Sequence, residues 1–172
     1  AGAVAAAVWG RYMVGRGQPS RTRGFEVVTG EHRQHPNTEI HPPSRGSRHS
    51  AGYDLHTPTG FTLPPAATAI VVTDLRAYMQ PDEVLSVYPR SSVGLRGVML
   101  TNTVGIVDAD YYANAANDGN IRLSLHNIGP ETFTAQAGDR IAQAIFTKYL
   151  LADGDDFATG PERLGGHGHT GR

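Results

Sequence analysis

From Ala51 onward the chain is broken into short apolar or β-branched runs by Gly, Pro, Asn and Asp. The breaks recur roughly every ten positions, and that interval is the strongest limit on what the chain can become. Runs this short cannot carry the repeating apolar face of a packed helix, whereas a strand needs only a few residues. The spacing predicts strands over Tyr53–Leu55, Phe61–Leu63, Thr68–Val72, Val84–Tyr88, Val98–Leu100, Ile121–His126, Thr132–Thr134 and Arg140–Leu150, after a first strand at Phe25–Thr29. One short helix is expected, starting near Ser91–Gly97. The fold class is therefore all-β.

A chain of 172 residues fits a single domain that assembly with further copies would help stabilise. With 15 Lys plus Arg against 16 Asp plus Glu, it lacks the basic excess of a nucleic-acid surface, so no nucleic-acid partner is expected. Small phosphorylated ligands need only a few local donors. The absence of Cys removes disulfides, thiolate ligands and thiol nucleophiles. That fits a reducing, cytoplasmic location. The apolar run Ala1–Gly10 has about half the length of a membrane span and lacks the basic leader of a secretory signal. It reads as an extension with Met13 the more natural start, or as a short helix docked on a neighbour. The expected organisation is a flexible extension over 1–23, a β domain over 24–150 and a mobile arm over 151–172 that closes a site. Glu31–Ser50 has loop composition, and its histidines lack the spacing of a zinc cluster.

Five segments offer chemistry. Gly105–Tyr112 reads as a tight turn that sets Asp108 and Asp110 beside Tyr111 and Tyr112. Asp108 could orient and deprotonate a water attacking a phosphoryl group. It could equally be a turn former. Arg90, Ser91 and Ser92 follow an apolar strand and precede Gly94 and Gly97, a place for phosphate donors or for ordinary helix caps. Gly138–Gln143 opens a strand on which Asp139 and Arg140 could pair while Gln143 reaches a ligand; a surface hairpin is the alternative. Asp54, in Ala51–Leu55, could hold waters of a phosphate-bound Mg²⁺ or be a polar residue at a strand edge. The tail Arg163–Gly171 could order over a ligand.

In this order the segments resemble the five motifs of the trimeric dUTPases: AGYDL at 51–55, YPRSSVG at 88–94, NTVGIVDADYYANAANDGNI at 102–121, GDRIAQAIF at 138–146 and RLGGHGHTG at 163–171. The long third motif is similar to the branch of Gram-positive bacteria and their phages. The resemblance implies a jelly-roll-like β-barrel assembled as a homotrimer, each site built by three subunits, that converts dUTP to dUMP and pyrophosphate with Mg²⁺. It implies Asp108 as the base toward the α-phosphorus and Tyr111 as the ring under deoxyribose. Asn102, Ile121 and the backbone after Tyr111 match the uracil-reading hairpin. Arg90, Ser91, Ser92 and Gln143 match triphosphate ligands, Arg90 and Gln143 completing the catalytic set. Asp54 matches the carboxylate that holds Mg²⁺ through water, and Asp139 a support of the fourth motif. Arg163, His167, Gly168 and Thr170 match the closing arm.

The fifth motif departs from the family, which usually has Phe at the position of His167 and Ser at that of His169. An imidazole covers less apolar area and becomes cationic near pH 6.5, roughly, so weaker or pH-dependent closure is expected. A regulatory, repressor-sequestering relative is the rival reading, with 31–50 and 112–118 as the surfaces for a protein partner. A dCTP deaminase is a further rival, disfavoured because no Glu lies between Asn102 and Ile121.

Overall fold

The computed structural model describes residues 21–156 and 158–159. Among these, the strands are β1 (Gly24–Val27), β2 (Ser44–Arg45), β3 (Tyr53–His56), β4 (Phe61–Leu63), β5 (Thr68–Val72), β6 (Leu75–Tyr78) and β7 (Glu83–Pro89). After the single-turn helix α1 (Ser91–Gly94) come β8 (Val98–Leu100), β9 (Gly105–Asp108), β10 (Arg122–Asn127), β11 (Phe133–Ala135) and β12 (Arg140–Lys148). All strand pairings are antiparallel. The largest sheet runs β2-β3-β12-β7-β9, a second runs β5-β10-β8, and β11-β4 and β1-β6 are two-stranded. No helix among the described residues is long and apolar enough to cross a membrane.

The side-chain pattern explains the layering. On β10, buried Leu123, Leu125 and Asn127 alternate with Arg122, Ser124 and His126, the period-two signature of a strand with one face on the core. On β7, Leu85, Ser86 and Val87 are buried in succession, because this strand lies inside the five-stranded sheet and is covered on both faces. Leu55, Leu63, Leu85, Leu100, Leu125 and Ile141 form the centre of the core, each excluded from solvent. Each such side chain contributes about 1.5–3 kcal/mol of apolar burial.

Three strands go beyond the sequence reading: β2, β6 and β9. Gly105–Tyr112 is not one turn. Gly105–Asp108 pairs with β7, and Ala109–Tyr111 follows as a single 3₁₀ turn. Residues 112–118 also depart from the exposed surface expected of them. Asn114, Asn117 and Asp118 are buried there, and only Ala113, Ala115 and Ala116 are exposed. Nearly all of the extra polar groups turn inward because they bond one another and the preceding turn.

A bulge in β12 has consequences for the site. Arg140 faces His56 on β3 and Ala142 faces Leu55, so two steps on β12 match one on β3. Ile141 and Ala142 are consequently both buried. The extra residue turns Arg140 to the face shared by Gln143, Asp54 and His56.

Candidate functional site

β7, β8, β9 and β10 border a cleft of about 390 Å³. Asn102, Asp108, Tyr111 and Ile121 lie on its wall, with Ser124 from β10. Asp108 is the last residue of β9 and begins the 3₁₀ turn with extended dihedrals, φ −77° and ψ 157°. Its side chain makes no capping bond to that turn. The carboxylate is exposed at the cleft, while Tyr111, three residues on, is buried at 6% exposure. The Tyr111 hydroxyl donates to the Asn120 carbonyl at 3.1 Å. The two aromatics part company at the end of the 3₁₀ turn. Tyr112 leaves the cleft, and its hydroxyl donates to Glu26 at 2.6 Å while the Arg76 guanidinium lies 4.7 Å over its ring.

A second cluster forms where β3, β7 and β12 meet. Asp54 is buried, and its two oxygens receive Arg90 Nε at 2.8 Å and Arg140 Nη1 at 3.3 Å. Two guanidiniums against one carboxylate leave a positive balance. The pairing expected between Asp139 and Arg140 is replaced by this one, because the bulge aims Arg140 at Asp54. Asp139 instead accepts the Gln136 amide at 2.7 Å, shaping the turn that enters β12. Gln143 donates to the Pro89 carbonyl at 3.3 Å, and its side chain lies so close to Gly52 that a Cβ there would meet Gln143 Oε1 at 2.6 Å. Arg90 occupies the cap position of α1 without a side-chain cap bond, and Ser91 and Ser92 are exposed in its first turn.

Beside this cluster the rings of His41 and His56 are 5.4 Å apart. Burial first, then the neighbouring His41, hold the His56 imidazole below its ordinary pKa. Sequence reasoning missed Arg140 as a partner of Asp54, and it missed the buried asparagines behind Tyr111. Arg163, His167, Gly168 and Thr170 lie outside the described residues.

The cleft and the Asp54 cluster are far apart within the chain. Asp108 pairs with Val84, and Arg90 is six residues further along the same strand direction, about 20 Å at the rise of an extended chain.

A family model described as dUTPase matches residues 38–169. The chain belongs to the dUTPase family. The deoxyuridine 5'-triphosphate nucleotidohydrolase of Lactococcus lactis subsp. lactis (strain IL1403) is 40% identical over 152 residues, covering 88% of this chain and 99% of that protein. The crystal structure of the dUTPase from Streptococcus mutans superposes with a TM-score of 0.66 at 36% identity, over 76% of this chain and 99% of that one. A dUTPase variant from phage phi11 of S. aureus, described with a structural Mg(II) ion, shares the fold with a TM-score of 0.60 at 18% identity, over 78% and 95% of the two chains. The predominantly β fold of this chain thus resembles the dUTPase jelly roll, and the protein is an enzyme of that family.

Proposed function

We propose that the chain hydrolyses dUTP to dUMP and pyrophosphate through a water activated by Asp108, with the nucleoside held in the cleft of Asn102, Tyr111 and Ile121. The observation that carries this reading is the meeting of an exposed carboxylate and a buried aromatic ring on one cleft. An ionised Asp there can orient a water and take its proton as oxygen attacks the α-phosphorus and pyrophosphate leaves. Tyr111 lies beneath deoxyribose and rejects a 2′-hydroxyl by contact. Asn102, Ile121 and the adjacent backbone read uracil.

Arg90, Ser91, Ser92 and Gln143 bind the phosphates, and Asp139 supports the turn that delivers Gln143. A triphosphate is too short for one protomer to supply both Asp108 and Arg90 to it, given their separation along β7. A site shared between protomers follows from that reading, and the resemblance to the trimeric dUTPases makes the proposed assembly a homotrimer in which the base of one protomer faces the phosphate ligands of another. Arg163, His167, Gly168 and Thr170 of the closing arm complete the site.

Among the described residues no group of three or more His, Asp or Glu could hold a metal ion. Both Asp54 oxygens are already engaged by guanidiniums. This donor set does not fit a resident, protein-caged ion; a Mg²⁺ carried in on the triphosphate would be held mainly by the phosphates, with Asp54 as the carboxylate that would hold its waters. Such an ion offsets charge on the phosphates and the leaving group.

Pyrophosphate release from dUTP, dCTP, dTTP and UTP tests the assignment. Release from dUTP with little from the other three is expected. Equal turnover of dUTP and UTP contradicts the role given to Tyr111.

A further inference from the structure

We infer that Asn117 is a positioning residue that fixes the Tyr111 ring and so sets the preference for deoxyribose over ribose, an inference that rests on the sugar-stacking role of Tyr111 given above. Tyr111 reaches the cleft with its ring but ends in a hydroxyl buried on the far side. That hydroxyl accepts from Asn117 Nδ2 at 2.7 Å and donates to the Asn120 carbonyl at 3.1 Å. A phenol held by one donor and one acceptor has lost both rotation about its C–O bond and freedom to tilt.

Asn117 is itself fully engaged. Its Oδ1 receives Asn114 Nδ2 at 2.8 Å and the Gly119 amide at 3.1 Å. Asn114 closes the ring of bonds by donating to the Tyr111 carbonyl at 2.7 Å and accepting the Ala116 and Asn117 amides. The two side-chain amides therefore grip Tyr111 by its hydroxyl and by its backbone. Both are at least nine-tenths buried, where an unmade hydrogen bond is expensive and alternative rotamers have no partners.

This assembly is moored to the rest of the protein at its far end. Asp118 accepts the Thr29 amide at 2.7 Å and pairs with Arg76. Asn120 donates to Asp74 Oδ1 at 3.0 Å and to the His32 carbonyl at 3.1 Å. Movement of Asn117 is thus opposed from both sides, and the ring it holds cannot retreat from a bulkier sugar. The segment that lengthens the loop after Tyr111 becomes a brace for the specificity ring.

The test measures kcat/KM for dUTP and UTP in wild type, Asn117→Ala, Tyr111→Phe and the double variant. A roughly tenfold fall in the dUTP/UTP ratio is expected in each single variant, with little further fall in the double variant, because both remove the same bond. Damage that is merely structural lowers both substrates in parallel and leaves the ratio unchanged. Should Asn117→Ala fail to fold, Asn117→Asp takes its place beside Tyr111→Phe, since it keeps the shape and the Oδ1 acceptor of Asn117 while removing the Nδ2 donor to the Tyr111 hydroxyl. A wild type that turns over dUTP and UTP alike removes the sugar-stacking role itself. A selective wild type with equally selective variants, or single-variant losses that add in the double variant, overturns the positioning role alone.

Discussion

Asp108 and Arg90 lie at opposite ends of β7: Asp108 pairs with Val84 near its start, and Arg90 follows Pro89 at its end. In the proposed reaction both side chains act on one triphosphate, and their separation along β7 assigns them to different protomers of the proposed trimer. Asp108→Asn and Arg90→Ala preparations, each inactive, should regain activity when unfolded together and refolded. Random assembly of a cyclic trimer returns about one quarter of wild-type activity, since only sites that draw both intact residues from the appropriate neighbours work. No recovery in a trimeric mixture contradicts a shared site.

Asp54 is buried between Arg90 and Arg140, and removing its charge leaves two guanidiniums facing each other. Asp54→Asn should lower stability by about 1 kcal/mol, since both guanidiniums left behind keep part of their solvent contact. Urea unfolding at fixed protomer concentration measures it. A midpoint unchanged from wild type shows that the pair carries no such weight.

The strand ladder was largely legible because apolar residues alternate on β3 and β10, β5 is a short β-branched run, and turn residues bound them. β9 was not, since Gly105 and Asp108 favour turns locally and only pairing with β7 makes the segment extended. Asn102, Asp108, Tyr111 and Ile121 could each be singled out in the sequence, and the fold gathers them on one cleft. Arg140 escaped because simple alternation sets it opposite Gln143, and a single bulged residue reverses that count. Asn114 and Asn117 escaped because an Ala and Asn-rich stretch has the composition of an exposed loop, while its hydrogen bonds are made inward.

His56 is held below its ordinary pKa by burial and by His41, with Arg140 and Arg90 acting the same way and Asp54 opposing them. The unfolded chain therefore takes up a proton near pH 6.5, roughly, before the folded chain does. Stability is full above that pH and is lost as pH falls from it toward the lower folded value. The Tm of wild type should drop more steeply between about pH 7 and about pH 5 than that of His56→Gln. Parallel curves contradict the coupling.

Gly119 has φ +77°, and a Cβ there would stand 2.7 Å from the Tyr111 carbonyl oxygen. Gly119→Ala should cost about 2 kcal/mol through backbone strain and displacement of the turn that carries Tyr111. Calorimetry, together with the KM for dUTP, measures both effects. A fully stable variant with unaltered KM shows that the close approach is not constraining.

The most direct test of the central claim is pyrophosphate release from dUTP and Mg²⁺ by Asp108→Asn, an isosteric change that removes the base. The expected result is a trimer that still binds dUTP while kcat falls by about a hundredfold or more, the span of general-base catalysis. Turnover equal to wild type would contradict Asp108 as the group that activates water.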